Sequence, residues 1–348
     1  MKLLLISIKS TSPAGGIAVW TEHFLSYCRQ HNIDCHLVNT EIIGKRANGK
    51  RRYLWGEWKR TRGIFHSLKQ QLKENTFDAV YLNTSCGTYG LFRDACLGKM
   101  VCKKGIPLVT HYHCEIPYWV RHKASIRTLG KLAQMSRHNL VLCQNSLQFL
   151  KSHYGIEAKK VPNFVNSSLL RTTPNPIDGP IKTVVFVGQL TENKGATELY
   201  TIARQLPQIH LSLVGKISDT VAAWPKPKNV TLTGQLPQEE VIPFLDKADV
   251  FLFPSHTEGC SMALMEAMAR GLPAIATDTG ANAEMLADGC GIVVPCHDIR
   301  AMLEALSQLN DPALRRSISI CAIQKISQNY TEENVNTLMN LVQQCSAD

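Results

Sequence analysis

Two carboxylates eight residues apart carry the sharpest chemical signal in the sequence. Pro254-Ser255-His256-Thr257-Glu258-Gly259-Cys260-Ser261 leads into Met262-Ala263-Leu264-Met265-Glu266-Ala267-Met268-Ala269, and Glu266 is the only charge in that apolar run before Arg270. The run predicts a helix over residues 260–270, with Met and Ala on all sides and therefore largely buried. A buried carboxylate is costly unless it is paired or multiply hydrogen-bonded, and no basic residue in the motif supplies the pair. Two vicinal hydroxyls of a ribose, both donating to one carboxylate, would satisfy Glu266; a backbone donor or an arginine elsewhere in the chain would leave it a structural residue. Glu258 falls about two helical turns earlier, in the loop. There the N–H groups of Gly259, Cys260 and Ser261 open the helix and face the crevice beyond a strand at Val250–Phe253.

Two glycine loops follow apolar strands. The second, Gly188-Gln189-Leu190-Thr191-Glu192-Asn193-Lys194-Gly195, sets Lys194 at a helix start, where a cation opposes the dipole unless an anion accompanies it, so a bound phosphate accounts for it better than stability does. The first, Ala14-Gly15-Gly16, fits a phosphate loop and an ordinary tight turn equally. A third cluster, Thr110-His111-Tyr112-His113-Cys114-Glu115, follows an apolar run at 107–109. His-x-His-Cys invites a zinc reading, but no second ligand cluster accompanies it elsewhere, and a pair of merely structural histidines remains open.

The elements that must hold these groups alternate strand and helix. A strand over 3–8, a helix over 17–30 and a strand over 35–39 form a β-loop-α-β unit, and apolar runs at 79–82, 107–110 and 140–143 continue it as a parallel sheet covered on both faces. A proline-rich stretch, 161–180, interrupts the periodicity. The pattern then restarts with strands at 183–187, 210–214, 230–233, 250–253 and 274–276 and helices at 196–205, 238–247 and 260–270. We therefore expect an N-terminal α/β domain over 1–165, a linker over 166–180 and a second doubly wound domain over 181–328. A terminal helix over 329–348 has one apolar face that suits packing on either domain, including a return to the first.

With 348 residues, 44% hydrophobic and 19% charged, the chain suits two globular cores. The apolar start, Met1–Ile8, is too short for a signal peptide or a membrane span. Twelve cysteines without a C-x-x-C pair point to reduced thiols rather than a disulfide framework. The net charge of +10 is concentrated: residues 45–73 hold ten Lys or Arg against the single acid Glu57. Arg51, Arg52, Lys59 and Arg60, beside Trp55 and Trp58, suit an anionic membrane surface or an acceptor; nucleic acid or plain solvation would draw on the same charges.

Taken together, Glu258-x7-Glu266, the Gly188–Gly195 loop, Val161-Pro162-Asn163-Phe164-Val165, the N-terminal glycine pair and Thr279-Gly280-Ala281-Asn282-Ala283-Glu284 resemble glycosyltransferase family 4. The resemblance spans nearly the whole chain and implies the GT-B fold, two Rossmann-like doubly wound domains facing a cleft. It implies a donor site of Gly15, Gly16, Gly188, Gln189, Lys194, Gly234, Gln235, Leu236, Glu258, Gly259, Cys260, Ser261 and Glu266. In that site Glu258 meets the sugar hydroxyls, Glu266 the ribose and Lys194 the diphosphate, and the backbone of 234–236 frames the base. It places a histidine beside the reacting sugar, His113 first and His111 second. With Glu258 and Lys194 these complete the catalytic set.

The activity so implied is retaining transfer of a hexose or N-acetylhexosamine from a nucleoside diphosphate sugar, with uridine as the commonest base, to a glycan acceptor. A lipid-linked acceptor in cell-surface polysaccharide or lipopolysaccharide assembly fits a cytoplasmic enzyme peripheral on the inner face of the membrane. No resident cofactor and no metal are expected, since no Asp-x-Asp triplet is present. One departure stands out: Gln189 replaces the arginine that the family often carries there, leaving more of the diphosphate charge to Lys194 and the helix N-terminus. A nucleotide-sugar 2-epimerase of the same architecture, or a non-catalytic protein binding through its basic patch, are the competing readings.

Overall fold

The computed structural model describes residues 1–10, 15–41, 54–174 and 177–347. The chain divides into two compact units, Met1–Pro162 with Asn334–Asp348, and Asn163–Glu333.

The first unit is a six-stranded parallel sheet of β1 (Lys2–Ser7), β2 (Asp34–Asn39), β3 (Ala79–Thr84), β4 (Leu108–Tyr112), β5 (His138–Val141) and β6 (Lys159–Lys160). Its order is β2-β1-β3-β4-β5-β6. Around it run α1 (Gly16–Gln30), α2 (Leu54–Glu74), α3 (Thr88–Cys102), α4 (Ile116–Trp119), α5 (Lys123–Met135) and α6 (Gln144–Tyr154). Leu3 to Ile6 and Ala79 to Leu82 are inaccessible to solvent on both faces, which is why these strands read as continuous apolar runs rather than alternating ones. Chain order reverses between β1 and β3.

The second unit repeats the plan with β7 (Thr183–Val187), β8 (His210–Val214), β9 (Val230–Gly234), β10 (Val250–Phe253), β11 (Ala274–Thr277) and β12 (Ile292–Val294), ordered β12-β11-β10-β7-β8-β9 and parallel throughout. Its helices are α7 (Ala196–Gln205), α8 (Asp219–Ala222), α9 (Gln238–Lys247), α10 (Met262–Ala269), α11 (Asn282–Leu286), α12 (Ile299–Gln308) and α13 (Pro312–Asn329). A last helix, α14 (Glu333–Ala347), is grouped from Asn334 with the first unit, where the Tyr27 hydroxyl donates to the Asn336 side-chain oxygen. Here the reversal falls between β7 and β10. Open parallel sheets bind ligands beyond the strand ends at such a point, so Lys194 after β7 and Glu258 after β10 flank the expected crevice of this unit.

Two expectations need correction. The end of the expected first domain and the expected linker both group with the second unit: Val165 N–H donates to the Tyr330 carbonyl at 2.9 Å, and Arg171 N–H, in the 166–180 stretch, to that of Ala269 at 3.0 Å. The boundary accordingly falls at 162/163. Nor are all the thiols free: Cys290, before β12, is joined to Cys321 of α13, with Cα atoms 4.9 Å apart. They are 31 positions apart in the sequence, and the packing of α13 brings them together.

Candidate functional site

At the ends of β7 and β10, Lys194 and Glu258 meet directly. The Lys194 ammonium donates to Glu258 Oε1 at 2.5 Å and to the Thr257 carbonyl at 3.4 Å. The sequence had supplied Lys194 with a phosphate as its anion; the structure supplies the Glu258 carboxylate, because the two loops close on each other. Gly195 makes that closure sterically feasible: its φ of +82° is left-handed, and a Cβ there would lie 2.4 Å from the Pro254 carbonyl. Lys194 itself ends a 3-10 turn, Glu192–Lys194, and α7 starts only after Gly195.

The Glu258 loop is held from several sides. His256 N–H donates to the Asn193 carbonyl at 2.9 Å, and Ala281 N–H to that of Gly259 at 2.9 Å. Ser261 caps α10, its hydroxyl accepting from Leu264 N–H at 3.2 Å. Asn163, buried, donates its amide to the Cys260 carbonyl at 2.8 Å, which gives the Val161–Val165 motif a physical task. Gly280 packs with its Cα against the loop, since a Cβ would come 2.4 Å from the Gly259 carbonyl. At the far end of α10, Arg270 makes a bidentate pair with Asp246 at 2.8 Å per bond.

Glu266 has a partner that sequence reasoning missed. Gln238, at the start of α9, donates its amide to Glu266 Oε1 at 2.9 Å. The donor is neutral, and burial pushes the Glu266 carboxyl up to about 7, the Gln238 hydrogen bond pulling only partly back. An amide at a helix start just past the glycine that ends β9 was the available signal. That contact joins the start of α9, four residues past the end of β9 at Gly234, to α10. Gly188 follows β7 with φ +154°, and Gln189 beside it is exposed.

The first unit separates its two histidines. His111 is fully buried, with Tyr81 hydroxyl on Nδ1 at 2.7 Å and the Val161 carbonyl on Nε2 at 3.1 Å. Burial lowers its pKa to about 3, so it is a neutral core residue with both ring nitrogens engaged and is withdrawn from the catalytic set. His113, 9% exposed, rests Nε2 on Asn83 Oδ1 at 3.0 Å, and Asn83 in turn donates to Ser7, which pairs with Thr21 at 2.7 Å. Because the Asn83 oxygen accepts, His113 Nε2 carries the hydrogen and Nδ1 is the basic nitrogen; burial holds the ring well below the usual histidine range. Trp20 stands edge-on to both rings. This relay from β1 through β3 to β4 was invisible in sequence. Gly15 and Gly16 are exposed at the start of α1, with Gly15 its N-cap at φ +110°.

Of the basic patch, Arg51 and Arg52 lie outside the described residues. Trp55 and Trp58 of α2 are 70% and 55% exposed, and Arg62 stacks over Trp58 at 5.4 Å. Lys59 is exposed. Arg60 is not a surface cation: it binds Glu57 at 2.9 Å and the Thr40 carbonyl at 2.9 Å, with its side chain 10% exposed.

Residues 14–169 match the family model described as Glycosyltransferase Family 4, and residues 181–311 that described as Glycosyl transferases group 1. Among curated relatives, WcaL of Escherichia coli, a glycosyltransferase named for colanic acid biosynthesis, is 31% identical over 190 residues, 48% of this chain and 47% of WcaL. The chain spans about half the length of that relative. Among solved structures, sucrose-phosphate synthase from Thermosynechococcus elongatus superposes with a TM-score of 0.82 at 18% identity, covering 100% of both chains. Anabaena HepE in complex with UDP-glucose gives 0.72 at 16% identity, again over 100% of both. These likenesses show the two-domain Rossmann-like fold, and the two family matches, one in each half of the sequence, show that the chain belongs to glycosyltransferase family 4.

Proposed function

We propose that the chain transfers a hexosyl or N-acetylhexosaminyl group from a nucleoside diphosphate sugar, with UDP the favoured carrier, to a glycan acceptor with retention at the anomeric carbon. The Lys194–Glu258 pair at the β7/β10 reversal carries this reading. Its side chains are 30% and 11% exposed, and a partly exposed ion pair contributes only about 0–1 kcal/mol. A diphosphate carrying two charges therefore displaces Glu258 from the ammonium at little cost. The freed carboxylate, nearly buried, then needs hydroxyl donors, which a sugar supplies. Glu266, already holding one donor, has acceptor capacity left for a ribose.

In the transfer step the bond from the anomeric carbon to the diphosphate oxygen breaks. The acceptor oxygen bonds to that carbon on the same face, and its proton passes to the departing diphosphate oxygen. Lys194 stabilises the charge developing there. His113, neutral and held in one tautomer by Asn83, offers a basic Nδ1 rather than a cation to whatever it meets.

WcaL, named for colanic acid biosynthesis, and HepE, solved with UDP-glucose, support a UDP-sugar donor and a glycan acceptor. No helix among the described residues is long and apolar enough to cross a membrane, and the exposed tryptophans and cations of α2 favour a peripheral position against anionic lipid, where a lipid-linked acceptor resides.

Thermal shift against nucleoside diphosphates and their sugar conjugates tests the donor site, since a ligand at 100 times its Kd adds about 2.7 kcal/mol. Stabilisation by one base names the donor class; none by any base overturns the reading. Release of free nucleoside diphosphate only when an acceptor is present separates transfer from 2-epimerisation.

A further inference from the structure

We infer that Glu198, His256 and His297, all in the second unit, form a binding site for a divalent cation of the zinc class. Glu198 lies in α7, four residues after Lys194; His256 precedes Glu258 by two; His297 stands between β12 and α12. Their ligand atoms lie within 4.8 Å of one another. His256 Nε2 is 2.9 Å and His297 Nδ1 3.2 Å from the same oxygen, Glu198 Oε1, and the two imidazole rings are 3.9 Å apart between centroids. Edges of a tetrahedron around zinc with nitrogen and oxygen ligands measure roughly 3.3 Å, from bond lengths near 2.0–2.1 Å.

A hydrogen-bonded cluster explains this arrangement poorly. Glu198 is 4% exposed, yet both imidazoles crowd Oε1 while Oε2 is buried without a hydrogen-bond partner. A buried carboxylate oxygen left unsatisfied is costly, and spreading the two histidines over both oxygens would have relieved it. A cation draws two nitrogens and one carboxylate together in this way and neutralises the carboxylate besides. Two imidazoles and a carboxylate suit zinc and its neighbours, whereas magnesium and calcium take oxygen ligands. The His297 side chain is 66% exposed, so that flank is open to solvent and a fourth ligand is water or an anion.

The position gives the cation a task. It would clamp the loop carrying Glu258 to the helix that follows Lys194, with the β12–α12 connection as a third post. It touches neither the diphosphate nor the reacting sugar in the mechanism above, so it positions the ion pair rather than taking part in transfer. The inference does not depend on that mechanism.

The full-length chain, treated with chelator and dialysed, is titrated with zinc(II) by calorimetry and with cobalt(II) by visible absorbance. We expect one site per chain, with cobalt ligand-field bands of a tetrahedral centre and no thiolate charge-transfer band. Glu198→Gln and His297→Ala should each weaken the site by at least about 100-fold, since loss of a mere outer-shell partner costs 10–100-fold. His297 is exposed, so the metal-free variant should melt with the metal-free wild type. Wild-type affinity in both variants, absence of a saturable event, or a thiolate band marking cysteines as the ligands would each overturn the proposal.

Discussion

Glu258 and Glu266 stand at the two ends of one short motif, yet one meets an ammonium and the other a neutral amide. That difference sets their behaviour. Glu266, raised from 4.5 to about 7, keeps a proton in the native state across that window that the unfolded chain has released. Stability from this residue therefore falls as pH rises from about 4.5 to 7 and stays at its lower level above. Glu266→Gln, which keeps shape and the acceptor for Gln238 but cannot ionise, should unfold at higher urea than wild type at pH 8, by up to about 3 kcal/mol, and at the same urea near pH 4.5. An equal gap at both pH values would mean that the carboxyl ionises normally. The same substitution should weaken donor binding at pH 8, because an ionised acceptor for the ribose is lost. For Lys194→Ala we expect turnover to fall about 100- to 1,000-fold with a smaller change in donor affinity, the pattern of a group that acts on charge developing in the transition state. Parallel losses in kcat and donor affinity, measured by steady-state kinetics and calorimetry, would assign Lys194 to ground-state binding.

At the scale of elements, five strands of the second unit were legible to within a residue, while the three-residue β12 (Ile292–Val294) was not read. Thr183–Val187, His210–Val214 and Val250–Phe253 are buried apolar runs bounded by polar or glycine positions, and that pattern is a direct imprint of a two-face-buried sheet. What the sequence withheld is whatever depends on two distant segments meeting. Lys194 on Glu258, Gln238 on Glu266, His113 on Asn83 and Cys290 on Cys321 are all long-range pairs, and local periodicity says nothing of them. Arg60 shows the same limit in reverse: its position in a charge run suggested the surface, while Glu57 and two backbone carbonyls turn it inward. The conformation of Gly195 belongs to this class too, because its demand comes from Pro254. Gly195→Ala introduces both a left-handed alanine and a contact of 2.4 Å with backbone. It should cost at least about 1–3 kcal/mol in urea unfolding and also lower turnover, as the loops carrying Lys194 and Glu258 are forced apart. A variant of wild-type stability would show that the close approach is not needed.

For the molecule as a whole, a charge of +10 with ten of the cations in residues 45–73 is the observation on which the proposed peripheral position rests. The described part of that segment is α2, which packs on α3 and exposes Trp55 and Trp58. On α3, Tyr89 and Phe92 are 62% and 65% exposed. Large aromatics left in water beside cations are what an anionic lipid interface rewards, through insertion of the rings at headgroup level and about 1 kcal/mol per basic residue. Duplex nucleic acid would use the charges through its phosphates but offers no unstacked base to these rings, whereas a single strand would use both. The structure also decides which residues may be changed: Arg60 ties α2 to the end of β2, so its removal would confound a binding test. Replacing Lys59 and Arg62 by Ser should weaken co-sedimentation with vesicles rich in anionic lipid by roughly 30-fold, two charges at about 1 kcal/mol each. Adding Trp55→Ser and Trp58→Ser should remove it. Zwitterionic vesicles should bind weakly from the outset, and raised salt should mimic the charge variant. Undiminished binding of the fourfold variant to anionic vesicles would take the membrane site away from α2, and a preference for single-stranded nucleic acid over those vesicles would reassign the patch altogether.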